Sequence, residues 1–305
     1  MEQKFALVLI AAAASLWGII GLFVSGLYEM GFTATQVVAI RAISASCFLV
    51  IYALLKNRHS LKIKVVDSKY FIGTGIISIV LFNWCLFKAI EETSISVATI
   101  LLYTAPVFVT LFSRILFKEA LTPRKIGALA ITLVGCSLVI GVLPGMNETI
   151  SFYGLLLGLG AGLFYALYSI FGKYALQKYD SLTVTVFTFL FAAAAITPFS
   201  GIWQMTSLLQ NPSVWLYAFG IGLFSTVLPF LFYTKGLEII ESSRASIIAT
   251  IEPVVAVVVG IMIFSEHLNL WQYIGISFVI GAVLLVRETK KQSESVPTAT
   301  LTKLN

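Results

Sequence analysis

The sequence predicts an all-α membrane protein with ten transmembrane helices in two inverted five-helix repeats. Three observations carry that expectation. Of 305 residues, 59% are hydrophobic and only 11% charged, with a mean hydropathy of +0.97, whereas soluble domains average roughly 45–50% apolar and about 25% charged residues. So few charges cannot cover so much apolar surface, and the excess must face lipid. The apolar residues fall into ten runs, each near the ~20 residues needed to cross a hydrocarbon core of about 30 Å. The two halves of the chain also repeat one another. This composition excludes a soluble enzyme, a nucleic-acid-binding module and a disordered chain. The net charge of +6 reads as topology information, with no nucleic-acid partner expected.

The runs are bounded by polar breaks and are taken here in order. The first, 5–27, has one lysine before it, and its alanines at 11–14 lie inside the run, so it is a span and not a cleaved signal peptide. The second, 34–55, contains Arg41, and a break holding five basic residues separates it from the third, 70–90. The fourth, 96–117, carries Pro106 near its middle, and the fifth is 124–143. The sixth, 152–176, is crowded with Gly154, Gly158, Gly160 and Gly162. Small residues let helices approach closely, so packing within the bundle is expected there, with a homodimer face as the alternative. The seventh, 182–203, and the eighth, 214–236, carry Pro198 and Pro229. The ninth, 245–264, holds Glu252 beside Pro253, and the tenth is 270–286. Residues 288–305 are polar and aperiodic and are expected to be a disordered tail.

Basic residues set the expected orientation. With the N-terminus in the cytoplasm, 18 of the 20 Lys and Arg fall on the cytoplasmic side or its edge, leaving only Lys88 and Arg41. A multi-pass protein of the cell membrane with both termini cytoplasmic is therefore expected. Trp203, Trp215 and Trp271 stand at span ends, as interfacial belt residues do. Cys47, Cys85 and Cys136 lie in apolar runs without ligand spacing and are expected to be buried thiols. His59 and His267 are isolated, so no metal or cofactor is expected. Asn147-Glu148-Thr149 fits a glycosylation acceptor.

At a shift of 147 residues, Gly73, Gly75, Ser78, Lys88, Glu91 and Ser96 meet Gly220, Gly222, Ser225, Lys235, Glu238 and Ser243 without a gap. Pro106 meets Pro253, and Glu119 meets Glu266. The matches include polar and proline positions, so shared hydrophobicity does not explain them. The remaining spans align less clearly; Trp17-Gly18 falls opposite Tyr165-Ala166 at a shift of 148. An odd number of spans per half makes equivalent helices run oppositely through the membrane. Inverted repeats of this kind are a transporter architecture, with the substrate site near the midplane. The expected repeats are 1–143 and 144–287.

The pattern of Trp17-Gly18, Pro106, and Lys118-Glu119-Ala-Leu-Thr, with Ser243-Arg-Ala-Ser, Ile251-Glu252-Pro253-Val254 and Ser265-Glu266 in the second half, resembles EamA-type members of the drug/metabolite transporter superfamily. The resemblance runs from Phe5 to about Arg287. It implies a plasma-membrane carrier, commonly an exporter of amino acids or other small metabolites. A facilitative channel and a multidrug exporter of amphipathic compounds are the alternatives. An embedded enzyme would need clustered nucleophiles, bases or metal ligands, which the spans do not offer.

Within the spans, charges default to functional candidates because each costs roughly 2.5–3.5 kcal/mol at the bilayer centre. Arg41 and Glu252 are therefore the candidate coupling or gating residues, weighed against a structural arginine and a carboxyl that holds a kink. Pro106 and Pro253 are expected as matched mid-span kinks that act as hinges or free a carbonyl for binding. Trp17, Asn83, Trp84, Tyr103, Tyr165 and Tyr168 are the candidate cargo residues, because aromatic faces take apolar or cationic groups and the amide and hydroxyls supply direction. The expected partners are a small-molecule cargo and the lipid bilayer. Lys88, Lys235, Glu91 and Glu238 are expected in end caps and salt bridges, and Glu119 and Glu266 near helix N-termini, where acid is favoured.

Overall fold

The computed structural model describes residues 2–143, 151–264 and 267–287, whose regular elements are all helices, with no strand among them. The expected tail, the acceptor at Asn147 and the Glu266 position lie outside those residues. Eight helical rods are long and apolar enough to cross a membrane. They are α1 (Glu2–Glu29), α2 (Ala34–Lys56), α3 (Val65–Glu92), α4 (Ile95–Leu116), α6 (Phe152–Ala175), α7 (Ser181–Ser200), α8 (Pro212–Ile239) and α9 (Ser242–Ile263). The other two expected runs form shorter helices, α5 (Pro123–Val139) and α10 (Leu270–Arg287), which pack along each other.

Polar caps fix where the helices begin. Thr33 and Gln36 form a reciprocal capping box ahead of α2, the Thr122 hydroxyl accepts from the Lys125 amide at the start of α5, and Asp180 accepts from the Thr183 amide at 2.7 Å. Each satisfies an amide that the first helical turn leaves without a partner.

Five rods are interrupted. α1 breaks at Ile19, between Gly18 and Ile20. α3 and α8 contain wider π-helical segments, Ile72–Val80 and Leu223–Val227, whose last residues are equivalent in the 147-residue repeat. Such segments are frequent at functional sites. α4 and α9 are each split into two segments, with the first ending at Tyr103 and at Thr250, which are again equivalent. Pro106 and Pro253, expected as matched mid-span kinks, each follow such a break directly. Both prolines lie in the first turn of the second segment, where a helix has no partner for their missing N–H.

The halves are interleaved. α1 packs on α8 and α9, and its equivalent α6 packs on α3 and α4, while α2 packs on α7 and α5 on α10. Exchanging the first five helices for the last five maps this set of contacts onto itself. The glycines repeat the pattern in detail. A Cβ on Gly75 would strike the Thr188 carbonyl of α7, and one on Gly222 would strike Ser44 of α2. One on Gly18 would lie 2.8 Å from the Glu252 carbonyl of α9, and one on Gly162 2.8 Å from the Leu101 carbonyl of α4.

Hydrogen bonds place the α2–α3, α4–α5, α6–α7 and α8–α9 connections at one end of the bundle. Ser60 donates to Asp180, and Asp67 accepts from Lys178 and Tyr179. That carboxylate raises the titration of the Lys178 ammonium. Glu119, after the left-handed Lys118, accepts from the Ser242 and Ser243 amides at the start of α9. It was expected near the N-terminus of its own following helix and instead caps a helix of the other half. Lys125 is buried and pairs with Glu241 at 2.8 Å. The salt bridges expected at Lys88 and Lys235 form with Glu91 and Glu238, each three residues on. Cys85 and Cys136 are buried as expected, but Cys47 is exposed on the outer face of α2.

Candidate functional site

A cavity of about 220 Å³ lies between the halves. Its wall reaches Tyr28 near the end of α1 and Val37 near the start of α2, so it extends toward the end that carries the α1–α2 connection. Its floor is aromatic. Trp17 meets Phe230 edge-on at 5.1 Å and Tyr233 at 5.4 Å, and Tyr168 meets Phe230 at 5.0 Å. Beneath the rings, Tyr168 shares a 2.6 Å hydrogen bond with Thr234, and Ser169 shares one of 2.7 Å with Tyr233. Lys173 then donates to the Leu237 and Ile240 carbonyls that end α8. Those contacts close the other end.

Both intramembrane charges stand on the cavity wall. The Arg41 Nε donates to Thr226 Oγ1 at 2.9 Å, inside the π-helical segment of α8, and the guanidinium carbon lies 5.7 Å from the centre of the Phe230 ring. Four of its five N–H donors remain for a ligand. Glu252 occupies the first turn of the second α9 segment, where the helix dipole favours a carboxylate. Among the described residues no ion pair joins it to Arg41, and no hydrogen bond engages its carboxylate. The repeat does not duplicate either charge. Thr188 is equivalent to Arg41, and Ala105 to Glu252.

The candidate cargo residues divide into two groups. Trp17, Asn83, Tyr165 and Tyr168 line the cavity with Arg41 and Glu252. Asn83 spends its amide on the Ile79 carbonyl at 2.7 Å, which leaves its oxygen as an acceptor, and Tyr165 packs edge-on to Phe82 at 5.3 Å. Trp84 is 52% exposed on the outer surface of α3, one helical step around from Asn83. Tyr103 stands behind the wall, packed with Cys136, Val139, Val254 and Val279. Pro106 and Pro253 are buried and do not line the cavity. The structure adds Phe82, Ser169, Phe230 and Tyr233 to the lining, and Thr226 behind it as the partner of Arg41. The signal that marks Thr226 and Phe230 in the sequence is a departure from the repeat, which has Ile79 and Asn83 in their places.

The sequence model of the EamA-like transporter family matches residues 4–141 and again 152–287. An uncharacterized transporter of Archaeoglobus fulgidus is 32% identical over 65% of this chain and 68% of its own length. A second from the same organism is 28% identical over 92% of this chain and 98% of its own. The uncharacterized transporter YxxF of Bacillus subtilis is 27% identical over 69% and 68%. A crystal structure at 17% identity superposes with a TM-score of 0.78 over 92% of this chain and 95% of that one, a likeness of fold alone.

Proposed function

Because the chain belongs to the EamA-like transporter family, we propose that it is a secondary carrier that exports small zwitterionic metabolites, amino acids or related compounds, by alternating access. The observation that carries this reading is the cavity lined by both Arg41 and Glu252, with no ion pair between them. A carboxylate on the cargo suits the guanidinium fork, a cationic nitrogen suits Glu252, and the rings of Trp17, Phe82 and Tyr165 suit its apolar part. The volume of about 220 Å³ favours such a cargo over the drug-sized compounds of a multidrug exporter, which fill roughly 300–1,000 Å³.

The exchange-symmetric contacts support two inverted repeats, 1–143 and 144–287, with α5 and α10 completing ten spans. The basic residues gathered at one end favour cytoplasmic termini in the cell membrane. The end toward which the cavity extends then faces outward, which suits release to the exterior. Uptake of labelled amino acids into proteoliposomes, run against a gradient of unlabelled cargo, tests the carrier reading. Accumulation driven by counterflow is expected. Flux that only follows the cargo's own gradient and never exchanges would identify a pore instead.

A further inference from the structure

We propose that a trough on the lipid-facing side of the α5–α10 pair binds one anionic phospholipid, with the phosphate on Arg124 and an acyl chain along the groove. The inference goes beyond the carrier reading and takes from it only that α5 and α10 are membrane spans. The trough has a volume of about 630 Å³ and shares no lining residue with the cavity between the halves. Arg124 and Ile131 of α5 line it, with Phe278, Gly281, Leu284 and Leu285 of α10. Its shape follows from how the two helices pack. Near one end they touch backbone to backbone, where a Cβ on Gly275 would lie 2.7 Å from the Gly135 carbonyl. Toward the other end Ala128, Ala282 and Val286 pack inward on Ile247 of α9. Gly281, beside Ala282, has no side chain, and nothing lies within 4 Å of a Cβ added there. Phe278, Leu284 and Leu285 are exposed, so the groove opens away from the bundle.

The chemistry is graded along the groove. Arg124 stands in the first turn of α5, at the end where the α4–α5 connection and most of the basic residues gather. The rest of the lining is apolar except Ser277, which spends its hydroxyl on the Tyr273 carbonyl of its own helix at 3.0 Å. From Arg124 to Ile131 the helix rises about 10 Å. That distance stays within one leaflet, which is half of a hydrocarbon core of about 30 Å. A cation at the leaflet surface above an apolar channel of leaflet depth complements a phospholipid end to end. A guanidinium holds phosphate oxygens through paired N–H bonds. A zwitterionic headgroup would bring its own cation among these basic residues, so an anionic headgroup is favoured.

The test titrates full-length protein in detergent with phosphatidylglycerol or with phosphatidylcholine of the same chains, and reads bound lipid by native mass spectrometry. The first phosphatidylglycerol is expected to bind about fivefold more tightly than the first phosphatidylcholine. Arg124→Gln should bring the two to parity, because it removes the headgroup partner and leaves the groove. Arg124→Lys, which keeps the charge and loses the fork, should fall between. Gly281→Leu fills the groove and should weaken both lipids alike, by about threefold or more. Gly21→Leu, at an exposed glycine of α1 with nothing within 4 Å of an added Cβ, should change neither. Equal binding of the two lipids by the unaltered protein would overturn the proposal. So would a preference that survives Arg124→Gln, or lipid binding untouched by Gly281→Leu. A dimer that Gly281→Leu abolishes while bound lipid stays the same would give the groove to a second copy and also overturn it. Counterflow of amino acids scores the carrier reading separately, since none of the substituted positions lines the cavity between the halves.

Discussion

Phe171 of α6 lies so close over Gly73 of α3 that a single added carbon on Gly73 would enter its ring, and Phe23 of α1 bears the same relation to Gly220 of α8. Each aromatic ring occupies the space that a side chain on its glycine would need. Both glycines belong to helices with a π-helical segment, and both rings come from the opposite half of the chain. Gly73→Ala and Gly220→Ala are expected to lower stability by about 1–3 kcal/mol through overpacking. Gly127→Ala and Gly281→Ala, where nothing lies within 4 Å of an added Cβ, are expected to be neutral or to stabilise by up to about 1 kcal/mol. Thermal unfolding in one detergent ranks the four, and a reversed ranking would refute the contact.

Eight of the ten expected spans were legible, as was the repeat in the sequence, because both leave marks on the order of residues. The orientation of Trp84 was not. A helix packed in lipid on one side and protein on the other is apolar all round, so hydropathy cannot tell the two faces apart, and Asn83 and Trp84 looked equally inward. The prolines marked the breaks three residues ahead of them, because each removes the amide that would bond the carbonyl four residues back. Arg41 and Glu252 stood out because their charge is costly anywhere in a span, and that cost is independent of which face they take.

Arg41 is predicted to need its planar fork as well as its charge. Arg41→Lys keeps the cation but loses the bidentate geometry and the fixed bond to Thr226. Its affinity for a carboxylate-bearing cargo should fall at least about tenfold, and Arg41→Gln should fall further. Calorimetric titration of the purified variants measures both. Binding by Arg41→Lys at wild-type strength would mark the arginine as a scaffold for α8 only.

Glu252→Gln preserves shape and hydrogen bonding but removes titration. The expected variant folds, exchanges cargo across proteoliposomes and loses the pH dependence of net flux. An unchanged pH profile would show that any proton coupling runs through another group.

Glu119 holds the first turn of α9 from across the repeat boundary through the Ser242 and Ser243 amides. Glu119→Ala leaves those donors unmet and should cost about 1–3 kcal/mol. Glu119→Gln, which keeps an acceptor without the charge, should fall between. A neutral Glu119→Ala in thermal unfolding would show that water replaces the carboxylate without loss.

The orientation has its own check. In intact cells, on a cysteine-free background, an impermeant maleimide is expected to label Gln210→Cys and to spare Lys62→Cys. Labelling of Lys62→Cys alone would place the termini outside.

The exchange of first helices between the halves also bears on how the protein is made. α1 leaves the ribosome well before its main partners α8 and α9, which follow only once residues 212–263 have been made. At roughly 5–20 residues per second, α1 waits about 10–40 s before α8 is complete. Through that interval the small-residue face of Ala6, Ile10, Ala13 and Ala14, fully buried in the finished bundle, has only lipid or the insertion machinery against it. The first half therefore enters the membrane as an unfinished guest, and quality control must tolerate it until the second half arrives.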